Sequence, residues 1–298
     1  MKAPWTCLLL GACWCALTSN QTQAATFSGH YPSGAEGIKG ASLPPPGLYL
    51  RDYNLFYDAD YFPGGPKEFE AVAYINAPRL IYITDYQIFG ANYGLDLLVP
   101  FYYGQVQFDA GGSRFKDSTF AMGDLQFEPL LLAWHFKQFD FGAGYAFWAP
   151  TGDYNRDGQR PSRLLGKGFW SHMITAGVTY YPDAEKAWAL SALNRYEIHH
   201  EHQDFDFTAG DTDTLEFGIS KSVTKSIEIG AVGYYQKQTT SYTPAASGPM
   251  DHVVALGPEV SAFWSKLGLF TSLRYVREFD AKQRPEGNTV TLTLTKRW

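Results

Sequence analysis

From Gly47 onward, hydrophobic and polar positions alternate with a period of two. Tyr93, Leu95, Leu97, Val99, Phe101 and Tyr103 interleave with Asn92, Gly94, Asp96, Leu98, Pro100 and Tyr102. Ile227, Ile229, Ala231, Gly233 and Tyr235 interleave with Glu228, Gly230, Val232, Tyr234 and Gln236, and the pattern recurs through Leu267–Val276 and Thr289–Thr295. Such alternation sends one set of side chains to each face of a sheet. Helical spacing does not compete in these windows, where Gly and β-branched residues recur. The pattern predicts strands over 47–58, 68–84, 91–107, 122–136, 138–150, 168–181, 185–198, 211–220, 225–240, 250–264, 266–279 and 287–298. Most exceed the roughly 9–11 residues a tilted strand needs to cross lipid, and the roughly 5–6 residues usual in globular proteins. Strand length therefore predicts a membrane barrel rather than a soluble sandwich.

The connectors alternate as well. Long ones are expected at 59–67, 108–121, 151–167, 199–210, 241–249 and 280–286, and short ones near Asp85–Gly90, Lys137, Pro182–Ala184, Lys221–Thr224 and Ser265. Outer-membrane barrels have an even strand number, short periplasmic turns and long outer loops. About twelve strands with both termini in the periplasm satisfy all three conditions. The last residue is Trp298, and Leu294, Leu292 and Val290 step back from it at every second position. A terminal aromatic of this kind is the feature that barrel-assembly machinery reads, although Lys296 stands where that pattern prefers an apolar residue. The expected fold is an all-β, antiparallel transmembrane outer-membrane β-barrel over 47–298, preceded by a short Gly/Pro-rich segment.

That segment follows an export signal. Lys2 supplies a positive start, Leu8–Leu17 a short apolar core, and Thr22-Gln23-Ala24 small residues at the cleavage positions, so residues 1–24 read as a signal peptide. Leu10-Gly11-Ala12-Cys13 also resembles a lipobox, a rival reading. Beyond the signal no run of about 18 apolar residues occurs, which excludes helical spans. Residues 25–46 are rich in Gly, Ser and Pro and end in Pro44-Pro45-Pro46, which favours extended chain without a hydrogen-bond ladder. They are expected to form a periplasmic lead-in or a plug in the barrel mouth. All three cysteines (Cys7, Cys13, Cys15) lie in the signal. The mature chain then lacks thiols for disulfides, zinc-thiolate sites or Cys nucleophiles.

Aromatic residues make up 16% of the chain, with 20 Tyr and 21 Phe, more than strand cores need and suited to interfacial girdles. Tyr180-Tyr181, Trp188, Tyr235, Trp264, Tyr275 and Trp298 stand near strand ends. The net charge of −6 and the lack of a basic block exclude a nucleic-acid footprint. One face of each strand is nearly free of charge, as lipid requires. The other face is expected to put Arg79, Asp96, Asp124, Glu128, Arg195, Glu197, Glu216, Glu228, Glu259, Arg274 and Glu278 in the lumen, with Trp148, Tyr102, Trp134, Phe263 and Phe270. Arg79 and Asp96 are equidistant from the 85–90 turn, so a symmetric hairpin sets them opposite each other. Two readings of this lumen stand: a solute path with a charged constriction, or an ion-paired filling that keeps a small barrel closed.

Other chemistry is sparse. His199-His200-Glu201-His202 with Asp204 and Asp206 is the one metal-like cluster, but loop spacing does not preset a ligand cage, and a solvated polar loop explains it as well. Asp211 and Asp213 extend this acidic surface toward lipopolysaccharide. Outer-membrane phospholipases place a Ser two residues after a His, and no such His-x-Ser occurs here. His202 with Asp204 or Asp206 gives only a weak echo of a protease rim. No Gly-rich phosphate loop is present. Neither an enzyme nor a cofactor is expected.

Several segments together resemble a proteobacterial outer-membrane family. They are Gly34–Gly40 with Pro44–Tyr49, Leu80–Thr84, Gly90–Gly94, Gly123-Asp124-Leu125 with Pro129, Ala149–Tyr154, Ser191–Glu197 and Gly230–Tyr235. That family is linked by name to the meta-pathway of phenol degradation, and its members are often labelled transporters. The resemblance implies an outer-membrane barrel beside aromatic or hydrophobic compound catabolism, and carries no catalytic residues. The expected function is uptake of small hydrophobic or phenol-like compounds. The alternative is a structural or surface-interaction barrel with a closed lumen.

Overall fold

A computed structural model describes residues 29–156, 160–244 and 250–298; the expected signal peptide lies outside the described residues. Its elements are β1 (Gly47–Tyr61), β2 (Glu70–Ile88), β3 (Ala91–Leu98), β4 (Phe101–Ala110), β5 (Ser113–Met122), β6 (Leu125–His135), β7 (Phe139–Ala149), β8 (Ser171–Tyr180), β9 (Trp188–His199), β10 (Thr212–Ser222), β11 (Ile227–Gln238), β12 (His252–Trp264), β13 (Leu269–Lys282) and β14 (Glu286–Arg297). Every pairing is antiparallel. β1 bonds to β2 on one side and to β14 on the other, which closes the sheet into a barrel. Of the fourteen strands, β4 and β5 stand outside the ring, so twelve form the wall.

Those two strands correct the expected loop over 108–121. β4 continues the line of β3 and pairs with the far end of β2, while β5 continues β6. The hairpin turns at Gly111-Gly112, whose φ of 60° and 86° only Gly adopts without strain. Pro100 explains why each line is broken. It has no N–H to give to the ladder, so Val99 N bonds Pro78 O and Gly123 N bonds Pro100 O at 2.8 Å across an irregular gap. The 280–286 loop is likewise mostly strand, since β13 runs on to Lys282. The connections otherwise alternate as expected: 150–170, 200–211 and 239–251 crowd one end, and the short turns share the other end with the start of β1 and the end of β14.

The two faces are chemically distinct. Leu48, Phe56, Leu80, Ile174, Ile219, Ile229, Leu256, Leu273 and Leu292 are exposed on the outer face, where a lipid band accounts for them. One cluster departs from that band. Asp52 accepts from Asn54 and Asn76, and Tyr74 donates to Asn54, on the outer face of β1 and β2. Tyr181, expected in a girdle, is instead buried and donates to Asp140. Trp134, expected inside, faces out between buried Ala133 and exposed His135, because the ladder shifts between Phe127 and Leu130.

Candidate functional site: the lumen and the segment inside it

Residues 29–46 run through the barrel interior. Extended chain without a ladder must find other partners for its backbone groups, and the wall supplies them. At the termini end, Tyr49 donates to Pro45 O and Arg297 to Pro46 O. Higher up, Lys39 pairs with Glu228 at 2.9 Å, Ile38 N donates to Glu259, and Arg274 donates to Ala35 O. Near the far end, the N–H groups of His30 and Tyr31 both donate to Glu197, and the Tyr31 hydroxyl donates to Glu216. Short turns at Pro32–Ala35, Gly37–Gly40 and Lys39–Ser42 fold the segment between these anchors.

Glu36 is its centre. The carboxylate meets Arg51 at 2.9 Å, Arg79 at 3.1 Å and Arg195 at 3.7 Å, and accepts from the Tyr53 hydroxyl at 2.8 Å. Burial alone would raise its pKa; the guanidinium groups of Arg51, Arg195 and Arg79 outweigh that and hold it at about 2. Arg79 in turn reaches Asp96 at 2.5 Å and Glu128 at 2.8 Å. Arg195 contacts Glu216, and Arg274 contacts Glu259. Together these groups make a charged layer across the lumen.

A second cluster holds the far end of the segment. His30 Nε2 lies 2.9 Å from Asp124, His30 Nδ1 lies 2.8 Å from Ser171 Oγ, and Ser171 Oγ lies 2.7 Å from His199 Nδ1. With neutral imidazoles one arrangement serves all these atoms: His199 donates to Ser171, Ser171 to His30, and His30 to Asp124. The His30 ring stacks on Trp148 and meets the edge of Phe169. Asp124 also accepts from Gly152 N and Lys167 N, so it ties the 150–170 connection to the same point. Burial depresses the Lys167 ammonium to about 8, a shift that Asp124 and Glu197 partly offset.

Open space remains on both sides of the charged layer. Toward the termini a vestibule of about 560 Å³ is lined by Tyr49, Arg51, Glu228, Phe263, Phe270 and Thr293, among others. Toward the long connections lies a smaller cavity of about 100 Å³. Leu55, Ile75, Tyr102, Leu164 and Leu165 form its apolar wall, and His30, Lys167, Glu278 and Arg284 its polar edge.

Arg79, Asp96, Asp124, Glu128, Trp148, Arg195, Glu197, Glu216, Glu259 and Arg274 are all buried in this interior, and Glu228 is half-buried in the vestibule. The His199–His202 stretch is divided by strand alternation. His199 points inward to Ser171, His200 packs on His172 outside, and His202 sits against Tyr154 and Phe205. Among the described residues no group of three or more His, Cys, Asp or Glu is placed to hold a metal. Sequence reasoning missed Arg51, which shares its strand parity with Tyr49 and Tyr53 and was legible from that alone. It also missed His30, Glu36 and Ser171, whose roles depend on where an irregular segment threads.

The family model described as "Putative MetA-pathway of phenol degradation" matches residues 56–294. The chain belongs to this family. Among solved structures it resembles an outer membrane channel from Pseudomonas putida F1, with a TM-score of 0.73 at 15% identity, covering 90% of this chain and 99% of that one. It also resembles the beta domain of the Bordetella autotransporter Brka, with a TM-score of 0.51 at 8% identity, covering 86% and 100%. At such identities the likeness concerns the fold. Comparison with curated proteins gives no match. The family match spans most of the lumen-facing acids and bases, including Asp124, Arg195 and Glu197, whereas His30, Glu36 and Arg51 precede it.

Proposed function

We propose that this chain is an outer-membrane channel that takes up small hydrophobic or aromatic, phenol-like compounds. In this reading residues 1–24 direct export, residues 29–46 plug the lumen, and the long connections face outward. Trp298 engages the assembly machinery, and the outer rim meets lipopolysaccharide. The observation that carries the reading is the cavity between the plug and the long connections. Its apolar wall with one polar edge suits a ring bearing a hydroxyl group. Leu165, in that wall, packs against Gly123 where the ladder is broken. In this reading a hydrophobic solute leaves sideways for lipid at this break and so avoids the charged layer. The channel reading requires no catalytic group. Its test is uptake of phenol and toluene by cells with and without the gene: faster uptake with the gene is expected, and equal rates overturn the reading.

The density of anchors on residues 29–46 favours a second reading, a structural barrel with a sealed lumen. Single-channel recording in planar bilayers separates the two for ions. Steady open-state conductance rejects the sealed barrel.

A further inference from the structure

The geometry points to a carboxylate-binding cradle, formed by Arg51, Arg79, Arg195 and Tyr53, that Glu36 occupies and from which an aromatic monocarboxylate displaces it. The inference deepens the uptake reading and rests on it for the class of solute. Three observations carry it. First, the donors belong to the barrel wall, whereas the acceptor belongs to a segment outside the ladder, so the two are separable parts. The guanidinium groups approach one carboxylate from β1, β2 and β9, and Tyr53, also on β1, donates to it. Converging guanidinium donors are the arrangement that recognises carboxylates.

Second, the donors are not equally served without Glu36. Arg79 keeps Asp96 and Glu128, and Arg195 keeps Glu216 and the Tyr31 hydroxyl. Arg51 keeps only neutral partners among the described residues, Thr295 and the Tyr53 hydroxyl, and no carboxylate. Removal of Glu36 therefore leaves a half-buried cation, facing the vestibule, that calls for an anion. Third, Glu36 lines both the vestibule toward the termini and a small apolar cavity above it, beside Leu55, Ile75 and Trp148. A solute with a carboxylate and a ring thus finds the cradle for its head and an apolar lining for its body.

Glu36 competes as a tethered ligand, at an effective concentration on the order of millimolar. An external acid must exceed that to bind the wild-type protein, so deleting the tethered carboxylate exposes the site. The test uses the purified, folded full chain in detergent, with sodium benzoate and benzyl alcohol titrated by calorimetry. Retention of heat-modifiable gel mobility establishes that each variant is folded. Glu36→Ala is expected to bind benzoate at least tenfold more tightly than wild type, and E36A/R51Q to lose that gain. Benzyl alcohol should bind all three alike. Equal benzoate affinity in wild type and E36A, or tight binding that survives R51Q, overturns the cradle. Should E36A not fold, E36Q under a salt gradient decides: a shift of the reversal potential toward anions supports the cradle, and no shift rejects it. Phenol and toluene uptake by wild-type cells is a separate measurement, so failure of the cradle and failure of the uptake reading are told apart.

Discussion

Arg79 binds Asp96 at 2.5 Å although the two do not face each other in the ladder. Arg79 stands opposite Leu98, and Asp96 opposite Ile81. The turn lies at Phe89-Gly90, later than the middle of 85–90, and would set Arg79 opposite Pro100; a slip of pairing between Ile83 and Gln87 recovers two residues, which leaves the expected partners displaced by two. A long guanidinium side chain spans that diagonal, whereas a shorter base would not. The same guanidinium also serves Glu128 and Glu36, so it balances three buried acids. Arg79→Met should therefore cost about 3–5 kcal/mol, because it leaves acids buried without their counter-ion. The midpoint of urea unfolding in lipid vesicles measures it, and an unchanged midpoint would contradict the account.

Acid should release the N-terminal segment. The Glu36 carboxyl is depressed from an ordinary 4.5 to about 2 in the docked state. A depressed carboxyl stabilises docking fully above its undocked value and loses that contribution as pH falls toward the docked value. The window is thus pH 4.5 down to 2, and the contribution is about 3 kcal/mol. Bilayer conductance of the wild type should rise across this window, and that of E36Q should not change within it.

Substitution at Gly152 should lift the 150–170 connection off the lumen. A Cβ there would lie 2.5 Å from the Gly123 carbonyl carbon and 2.8 Å from the Asp124 nitrogen, both backbone atoms that cannot swing aside. Gly152→Ala is expected to cost about 1–3 kcal/mol, to break the bond from Gly152 N to Asp124, and to widen the space beside Tyr102. Single-channel conductance higher than wild type is the expected readout.

Ser171 Oγ is the middle of a hydrogen-bonded chain, 2.8 Å from His30 Nδ1 and 2.7 Å from His199 Nδ1. Ser171→Ala leaves a buried nitrogen on both His30 and His199 without its partner. The loss should be about 1–3 kcal/mol. His199 Nε2 already lacks a partner, so its ring has no second bond to fall back on among the described residues. Thermal midpoints from heat-modifiable gel mobility compare the variant with Ser171→Thr, which keeps the hydroxyl and should lose less.

Asp52 puts a carboxylate on the lipid face, with Asn54 and Asn76 around it. A charge facing lipid is a depth-dependent cost, smaller for Asp than for Lys or Arg. Asp52→Asn keeps an acceptor for the neighbouring amides and removes the charge. It should raise stability in vesicles by about 1 kcal/mol, read as a higher denaturant midpoint.

The barrel was legible because its signals are local and repeated. A period of two over windows such as Tyr93–Tyr103 assigns faces without knowledge of any neighbour. The same parity placed Asp96, Glu128, Arg195, Glu216 and Arg274 inside. It failed where the period itself is broken. Ladder irregularities near Leu130 turned Trp134 outward, and Pro100 with Gly123 divided two long strands, so the arm of β4 and β5 passed for a loop.

Sequence by itself thus determined the closed antiparallel sheet, its lipid face and the sign of most lumen-facing charges, since alternation and strand length are properties of each strand alone. Tertiary structure alone decided how those charges are shared. Glu36 belongs to a segment with no period, and its meeting with Arg51, Arg79 and Arg195 depends on threading through a closed ring. His30, Ser171, His199 and Asp124 come together from four separate stretches of chain for the same reason. Contacts of this kind are fixed by closure and by the need of every buried polar group for a partner, which no single stretch of sequence encodes.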